Sequence, residues 1–469
     1  MSRPLFKCSI FLIFMLCFFF SQQTVGQERA GLAYGQYSGI NAASLNPAYS
    51  LNYEHNWNLQ LWGGHFFGET DYATITNSNF FSLLTASADD ILVRTFRDEV
   101  VDRAYPMEVL FNEVGSTFID IKAEALGPAF MMNLHNGLVV GVSTRGRALG
   151  ASYGIPAQLN YYTSSIIEAD ETYQIEKAHG ASAGFIELDL HASKRISRYL
   201  NAGATLKLMR GYEAFWASNN IDFTFTEFNE DNVDFLSDGD FTISHSEPIE
   251  GTIEGKGFGL GMDLGVTLGG LWGKGTQLGV SLLDVGYIRY NGVSRDYGFN
   301  PDQVLIINAY TNLTTVPEVD SLLSVDFTVT DSSNHFIVQL PTALSIQYQQ
   351  KLTNKISVAG HWTQRVNVFK NQIARSNSIN VTGVYDSKHL SAFLPVTLYN
   401  YHSLRIGAAV RLGILTVGTD HLMSMFGESE LSGADFYMNI QLYPFKKEKK
   451  NLFPKLSRKY RDGIECSHF

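Results

Sequence analysis

The sequence predicts an all-β fold, a transmembrane antiparallel β-barrel of about 14 strands with an N-terminal plug-like segment and a short C-terminal tail. Three observations predict it: a secretory signal at the start, the absence of any later apolar stretch long enough for a membrane helix, and long strands in which apolar and polar residues alternate. We expect a signal peptide at 1–26, a periplasmic plug segment at 27–54, the barrel at 55–445 and a basic periplasmic tail at 446–469.

The N-terminus has the three parts of a secretory signal peptide. Arg3 and Lys7 precede an apolar run at residues 10–20, and the following segment ends at Gly26, after which we expect cleavage. The run is too short to cross a bilayer of about 30 Å as a helix. One cysteine, Cys466, remains after cleavage, so the hydrogen-bond network of a closed barrel has to provide the stability that disulfides give many exported proteins.

Composition and charge exclude one class of partner. The net charge is −11, and removing Arg3 and Lys7 with the signal makes it −13. Nucleic-acid binding depends on Lys and Arg neutralising phosphates, so no nucleic acid is expected as a partner. Charged residues make up 17% of the chain and aromatic residues 13%, a balance that favours a membrane barrel over a soluble enzyme.

Alternation is the strongest signal for strands. Residues 185–193, 257–268, 403–412 and 435–442 each place apolar side chains on one face and glycine, polar or charged side chains on the other. A soluble β-sandwich also alternates, but its strands average about 5–6 residues. The longer segments with unbroken apolar faces indicate strands that contact lipid on one side and a polar lumen on the other.

The connections between these strands fall into two classes. Short turns near 133–137, 195–199, 271–274, 352–355, 386–389 and 412–414 separate longer connections at 69–115, 150–180, 214–255, 288–334, 366–374, 400–402 and 421–433. Outer-membrane barrels keep short turns on the periplasmic side. Strands are therefore expected near 55–68, 116–132, 137–149, 181–194, 199–213, 256–270, 275–287, 335–351, 355–369, 375–386, 389–399, 403–412, 414–420 and 434–445, although 12 or 16 strands remain possible.

Two long connections and the last strand have sequence features that predict their local structure. Residues 211–255 contain 11 acidic residues and no Lys or Arg, which suggests a solvated acidic loop or, as the alternative, a divalent-cation site. Apolar residues at helical spacing predict a loop helix at 80–100. The last strand should end at the aromatic pair Tyr443 and Phe445.

The predicted register turns many charged side chains into the lumen. We expect a constriction or ligand site formed by Arg145, Arg147, Glu187, Asp189, His191, Lys207, His361, Arg365, Arg405 and Arg411. The same face carries Asp120, Lys122, Glu124, Asp263, Asp420 and Asp435. Enclosed charges need partners, so these groups either brace the wall as a hydrated network or, through the four arginines 145, 147, 405 and 411, hold a carboxylate or phosphate. Across the turn at 195–199, Glu187 should oppose Lys207, and Asp189 should oppose Thr205.

Catalysis is not expected. A hydrolase would need a Ser–His pair with an orienting group, and the candidates are His191 and His361 with Ser193 or Ser143. The sequence has no His-Glu-x-x-His or Cys-x-x-Cys motif. No cofactor or metal is expected either.

Two stretches resemble known families. Residues 39–50, which contain Asn46, Pro47 and Ala48, resemble the segment before the first strand in long-chain fatty-acid transporter-like barrels and in type IX secretion and gliding-associated barrels. Pro47 cannot donate to a strand ladder, so we expect an irregular segment that plugs the lumen. Residues 414–437, with 403–413 before them, resemble an uncharacterised Bacteroidetes outer-membrane barrel family known only as a domain of unknown function. That resemblance implies an outer-membrane barrel and no catalytic residues, and the transporter-like barrels have 14 strands.

Two hypotheses for function remain open. The first is a transporter or channel for a small amphipathic or hydrophobic molecule, plugged by the N-terminal segment. The second is a structural or assembly component of an envelope, surface-export or motility apparatus, with envelope partners bound through 446–469. Outer-membrane lipid is an expected partner in both, and the expected location is the outer membrane of a Gram-negative bacterium.

Overall fold

Fourteen antiparallel strands form a barrel that closes on itself in the computed structural model. It describes residues 29–93, 105–112, 115–156, 172–229, 232–246, 254–270, 275–299, 304–306, 315–367, 369–401, 403–426 and 429–444. The first strand, β1, pairs with both the second strand and the last, which closes the wall. The predicted fold class and strand count are confirmed. The predicted signal peptide with its cleavage site after Gly26, and the tail at 446–469, lie outside the described residues.

The wall follows the chain order, each strand pairing with the next. The strands are β1 Trp57–Thr70, β2 Ser116–Asn133, β3 Leu138–Pro156, β4 His179–Arg195, β5 Leu200–Asn219, β6 Gly257–Gly269, β7 Thr276–Phe299, β8 Thr328–Gln339 with Ala343–Lys351, β9 Ile356–Arg365, β10 Ser378–Asp386, β11 Leu390–Tyr399, β12 Ser403–Ile406 with Ala408–Leu412, β13 Leu415–Thr419 and β14 Gly433–Leu442. A further strand, Gly239–His245, continues the position of β6 outward between β5 and β7.

The wall is irregular where β8 is interrupted. Pro341 has no N–H to donate, so the ladder between β7 and β8 breaks there. On the facing strand Asp284 has a positive φ of 51°, and the pairing of β6 with β7 shifts between Met262 and Leu264. The bulge turns the Asp284 carboxylate into the lumen, where it meets three cations.

The two faces of the wall have opposite chemistry. Glu187 and Asp189 on β4 are 0% and 2% exposed inside, whereas their neighbours Ile186 and Leu190 are 49% and 44% exposed outside. In residues 257–268, 403–412 and 435–442, where alternation was also predicted, one face of the strand is likewise buried inside the barrel and the apolar face lies outside. In such a closed wall neighbouring strands satisfy one another's backbone groups and the apolar exterior faces lipid, and the protein is an outer-membrane barrel of a Gram-negative bacterium.

Aromatic side chains mark the two edges of the apolar exterior. Tyr199, Tyr348 and Tyr385 are exposed close to the short turns, and Trp362 and Tyr401 are exposed near the opposite rim, where the Trp362 indole donates to the Tyr401 hydroxyl at 2.8 Å. Aromatic girdles of this kind lie at the two interfaces of a membrane barrel. Among the helices within the described ranges, none is long and apolar enough to cross a membrane.

One predicted register is wrong by two residues. Asp189 faces Lys207, and His191 faces Thr205, whereas Glu187 faces Met209. The turn is centred one residue later than predicted, because the backbone N–H groups of Ile196 and Ser197 donate to Leu200 O, and the Ser197 hydroxyl accepts from the Leu200 N–H. A shift of two residues keeps every side chain on its face, so the inward and outward sets are unchanged.

Two small sheets extend the outer end of the barrel. One contains Ala73–Ser78, Ile91–Val93, Met107–Phe111 and Ser429–Leu431, and the other contains Thr172–Ile175, Phe223–Asn229, Asn232–Phe235 and Val304–Ile306. Much of the acidic stretch 211–255 therefore forms strands, and the expectation of a solvated loop is wrong for that part of it. The backbone shows this directly, because Phe223–Asn229 pairs with both Asn232–Phe235 and Thr172–Ile175.

The described helices are short. They are α1 Ala30–Ala33, α2 Phe80–Thr85, α3 Val316–Asp326 and α4 Leu422–Phe426, with 3-10 turns at Gly39–Ser44, Pro47–Asn52, Ala88–Asp90 and His135–Gly137. The helix predicted at 80–100 ends at Thr85. Ala86 is extended, and Ile91–Val93 instead pairs with Met107–Phe111, so strand pairing outweighs the helical spacing of the apolar residues.

The longest helix, α3, is attached to the outer end of the barrel by apolar packing, which includes Leu323, and by one buried carboxylate. Asp320 accepts hydrogen bonds from Arg295 and from the Tyr297 hydroxyl, the latter at 2.6 Å, and lies 3.2 Å from His245 Nε2. Burial opposes ionisation of this carboxyl, but the hydrogen bonds from His245 and Tyr297 outweigh it and lower the pKa of Asp320. Asp320 is therefore an ionised anchor for α3.

Candidate functional site in the barrel lumen

Residues 29–53, the N-terminal segment, lie inside the barrel. The helix α1 and the two 3-10 turns at Gly39–Ser44 and Pro47–Asn52 are almost entirely buried against the inner wall. Asn46 begins the second turn, and its side-chain oxygen accepts from the Ala48 N–H at 2.9 Å. Pro47 follows at the first position of that turn, where its missing N–H costs nothing.

The three residues predicted to plug the lumen contact the wall directly. The Asn46 amide donates to Val266 O and Val280 O, both at 3.2 Å, and to the Gln347 side chain at 2.9 Å. It thereby satisfies polar groups on three strands, β6, β7 and β8. Asn46, Pro47 and Ala48 are all buried.

Two wall glycines make room for these contacts. A Cβ at Gly203 would lie 2.7 Å from both the Ala48 nitrogen and the Pro47 carbonyl carbon, and a Cβ at Gly265 would lie 2.1 Å from the Asn46 side-chain oxygen. Both distances are far below contact distance. Because Gly203 on β5 and Gly265 on β6 have no side chains, the lumen face of these strands leaves the space that the Asn46–Ala48 turn occupies.

Three of the predicted lumen residues bind the N-terminal segment. His191 Nε2 lies 2.8 Å from the Ser50 hydroxyl, and His361 Nδ1 lies 2.9 Å from the Tyr34 hydroxyl. The guanidinium of Arg411 lies 3.8 Å from the centre of the Tyr37 ring, a cation–π contact. These residues hold the segment in place and do not line an open passage.

Beyond the segment, charged side chains cross the lumen in what we term the central charge layer. It consists of Arg29, Lys122, Arg145, Arg147, Lys207 and Arg375 with Asp120, Glu124, Glu187, Asp189, Asp263 and Asp284. Arg145 is 2.6 Å from Glu187 and 2.8 Å from Asp189. Lys207 is 2.8 Å from Asp263 and 2.5 Å from Asp284.

Arg147 and Glu124 connect the two halves of this layer. Arg147 reaches Asp284 at 3.0 Å, Glu124 at 3.2 Å and Glu187 at 3.5 Å. Glu124 is also 3.1 Å from Lys122 and 2.9 Å from Arg29 of the N-terminal segment. Six cations therefore face six carboxylates, which is how so many buried charges are tolerated in a low-dielectric interior.

The remaining predicted residues lie elsewhere on the inner wall. Arg365 lies over the ring of Tyr153 at 5.4 Å. Arg405 binds Glu69 and His421 near the outer end of β12. Arg411 lies at the other end of β12, so the four arginines considered as anchors for one anionic ligand are not brought together. Each is bound to side chains of the protein itself.

The central residue of the layer was missed by sequence reasoning. Asp284 binds Arg147, Lys207 and Arg375, yet it follows Leu282 and Leu283, where the alternation of β7 breaks. A carboxylate in such an apolar run is the signal that could have identified it. Arg29 lay within the expected plug segment, and Arg375 was assigned to a strand, so neither was expected to carry charge into the layer.

The connection from β9 to β10 also folds inward. Ile373 and Ala374 are 2% and 5% exposed, and the backbone of Gln339 both donates to Asn371 O and accepts from the Ile373 N–H. Arg375 then reaches Asp284 at 3.1 Å. The expectation of an outer loop at 366–374 followed by a strand from 375 is corrected, since β10 begins at Ser378. This connection covers the charge layer from the outer side.

A cavity lies at the periplasmic end of the barrel. It has a volume of about 350 Å³ and is lined by the N-terminal segment, including Tyr34, Tyr49 and Tyr53, and by turn residues, including Arg198 and Lys355. Two further cavities beside the charge layer have volumes of about 30 and 20 Å³. They are large enough for about one water each.

The hydrogen-bond partners of His191 determine whether it could act with a serine in hydrolysis. His191 contacts Ser50 and Thr205, and the candidate Ser143 donates instead to Asp189 at 3.0 Å. His191 has no carboxylate partner among its hydrogen bonds, and the cavity beside it is the one of about 30 Å³, too small for a substrate. Across the described ranges, no group of three His, Cys, Asp or Glu side chains is placed to hold a metal ion.

Comparison with known proteins agrees with this architecture. Residues 47–420 match a family of unknown function (DUF5723), as the resemblance of residues 403–437 implied. No curated protein matches the sequence.

Three solved structures illustrate the similarity of fold. They are a Pseudomonas aeruginosa FadL homologue (12% identity, TM-score 0.44, 91% of this chain and 100% of that chain), the Ralstonia pickettii toluene transporter TbuX (10%, 0.42, 87% and 94%) and the Pseudomonas putida toluene transporter TodX (9%, 0.40, 90% and 98%). At these identities and scores the likeness says nothing about the substrate.

Proposed function

This chain belongs to the family of unknown function (DUF5723), and we propose that it is a gated outer-membrane transporter for a small amphipathic or hydrophobic molecule. In this proposal residues 29–53 are the gate, and the structure is its closed state. The observation that carries the proposal is that the barrel wall is complete without the segment that closes it.

The hydrogen-bonding of wall and segment supports a removable gate. β1 pairs along its length with β2 and β14, and residues 29–53 contribute no strand to that ladder. The segment is held by separate side-chain contacts, such as Asn46 to Gln347 and Tyr34 to His361. Water or a ligand can replace such contacts one at a time, while the wall keeps its network.

The charge layer suggests how opening changes the lumen. Arg29 is the one layer member supplied by the segment, and it binds Glu124. Withdrawal of the segment leaves five cations against six carboxylates, and it joins the periplasmic cavity of about 350 Å³ to the layer. A molecule with a polar head and a small apolar body fits a path that has tyrosines at one end and charges in the middle.

A disulfide between gate and wall tests the proposal. The Ser50 and Ser193 hydroxyl oxygens are 2.5 Å apart, so Ser50→Cys with Ser193→Cys places two thiols within bonding reach. Cys466→Ser removes the remaining native cysteine of the mature chain. The matched control joins two wall strands through Ser345→Cys with Thr363→Cys, whose hydroxyls are 3.2 Å apart.

Efflux of hexanoylcarnitine, a zwitterionic amphipathic probe, is measured from proteoliposomes. We expect efflux above the protein-free rate for the reduced gate variant, a several-fold loss on oxidation, and recovery with reductant. Oxidation of the wall control should leave efflux unchanged. Equal efflux from oxidised and reduced gate variants, with the cross-link shown to form, would contradict gating by this segment.

The second candidate function is a structural or assembly barrel that does not conduct. It is favoured by the filled middle of the lumen, where two cavities of about 30 and 20 Å³ lie beside the charge layer and residues 369–377 fold in from outside. This candidate predicts no efflux above the protein-free rate in either redox state. Deleting residues 447–469, within the tail of eight Lys or Arg and three acidic residues, should then lose envelope partners and leave the barrel folded.

A further inference from the structure

Helices α2 and α4 lie side by side at the outer end of the barrel and share an apolar face. The rings of Phe81 in α2 and Phe426 in α4 have their centres 6.0 Å apart. Phe81, Leu84, Met423 and Phe426 are 48%, 67%, 62% and 72% exposed. Neither helix contains a charged residue. We term these four side chains the apolar paddle.

The paddle is attached to the lipid-facing side of the wall. Phe80 of α2 packs against Phe66 of β1, with ring centres 6.0 Å apart. Phe66 points outward, because its neighbours His65 and Phe67 are 5% and 2% exposed inside the barrel. The helix therefore lies beside the barrel exterior and not over its mouth.

The sheet that carries α2 confirms this placement by an independent contact. Tyr72 and Phe111 pack with Ile119 and Ile121 of β2. Both isoleucines face outward, because Asp120 between them is buried in the lumen at 5% exposure. The connection from β1 to β2 thus folds down over the outer surface of its own strands.

The height of the contact corresponds to the outer membrane interface. Trp57 begins β1 at the periplasmic girdle, and Phe66 is nine residues further along the strand. At about 3.3 Å per residue and a tilt of about 40°, that is roughly 23 Å, close to the apolar band of about 25 Å in such barrels. Side chains packed outside Phe66 are therefore level with the outer edge of the band.

From this geometry we infer that the apolar paddle inserts into the acyl layer of the outer leaflet beside β1 and β14. The paddle is continuous with a surface that already contacts lipid, and it is uncharged at a height where acyl chains begin. An exposed apolar patch of this kind is stabilised by removal from water.

Spin labels at single cysteines test the inference. Leu84→Cys and Phe426→Cys, each in the Cys466→Ser background, are labelled and reconstituted in phosphatidylcholine vesicles. Collision rates are measured with oxygen, which concentrates in acyl chains, and with a water-soluble nickel chelate. Leu394→Cys, on the middle of the outer wall at 56% exposure, is the lipid reference, and Val325→Cys, on α3 at 79% exposure, is the water reference.

We expect labels at 84 and 426 to collide with oxygen several-fold more than with nickel, as at 394, and the label at 325 to show the reverse. Nickel accessibility at 84 and 426 equal to that at 325 would overturn the inference. Protection from both reagents would also overturn it, because it would indicate a second copy of the chain on the paddle. If either variant fails to give a heat-modifiable barrel, Phe81→Cys and Met423→Cys report on the same face.

Discussion

The guanidinium Nη1 of Arg29 lies 2.9 Å from the carboxylate Oε2 of Glu124, so the first described residue of the N-terminal segment lies inside the central charge layer. The two side chains are 6% and 1% exposed. This ion pair couples the position of the N-terminal segment to the charge balance of the lumen. Replacing Arg29 alters the pair without changing any residue of the barrel wall.

Replacing Arg29 should loosen the inner end of the segment. In Arg29→Gln, Glu124 keeps Lys122 and Arg147, so the barrel should fold, while the segment loses a charged hydrogen bond worth about 1.5–3 kcal/mol. We expect faster amide exchange over residues 29–37 and higher hexanoylcarnitine efflux. Lys388→Gln, in an exposed periplasmic turn away from the cavity, should change neither. Unaltered exchange over 29–37 would show that the ion pair does not hold the segment.

Removing the central carboxylate should destabilise the whole barrel. Asp284→Ala leaves Arg147, Lys207 and Arg375 facing one another without the carboxylate that joins them. Loss of one partner from a buried ion pair typically costs about 3–5 kcal/mol. We expect a lower guanidinium midpoint for unfolding in detergent. The control Asp238→Asn changes an exposed carboxylate and should keep the wild-type midpoint; a wild-type midpoint for Asp284→Ala would mean that the layer is solvated rather than coupled.

A methyl group at position 203 should displace the N-terminal segment and leave the strands of the barrel wall folded. Its carbon would lie 2.7 Å from backbone atoms of Pro47 and Ala48, which cannot rotate away. Overpacking of this kind costs about 1–3 kcal/mol. Gly203→Ala should therefore increase protease cleavage within 39–53 while the strands stay protected. In Gly383→Ala the new methyl meets nothing within 4 Å, and cleavage should match the wild type.

Acid should release α3 from the barrel. Because the pKa of Asp320 is lowered in the folded protein, the stability it contributes is complete above the unfolded-state pKa of about 3.9. That stability is lost as the pH falls through the lower, folded-state pKa. A fluorophore on Ser321→Cys, in the Cys466→Ser background, should keep high anisotropy at pH 7 and pH 5 and lose it on further acidification.

Substitution of the same carboxyl separates α3 from general acid effects. Asp320→Asn should give low anisotropy already at pH 7, since the amide cannot hold Arg295 as an ion pair. The exposed Asp331→Asn should behave as the wild type. Equal titration curves for wild type and Asp320→Asn would assign the acid response to other groups.

The number and faces of the strands were predictable from the sequence. A strand in a membrane barrel must present apolar atoms to lipid at every second residue, so the period of two in residues 257–268 or 435–442 is visible without knowledge of any partner strand. The same rule assigned Glu187, Asp189, His191, Lys207 and His361 to the lumen. The Asn46–Ala48 turn was recognisable because Pro47 excludes a strand.

Register and partners were decided only by the tertiary structure. A slip of two residues keeps both faces, so the sequence pattern could not distinguish Glu187 opposite Lys207 from the observed Asp189 opposite Lys207. The bulge at Asp284 and the inward path of 369–377 depend on contacts with other strands. Tyr34 and His361 are 327 positions apart, and Arg29 and Glu124 meet only because the closed wall surrounds the segment. Periodicity is a local property of the chain, whereas which charges neutralise one another depends on closure of the whole barrel.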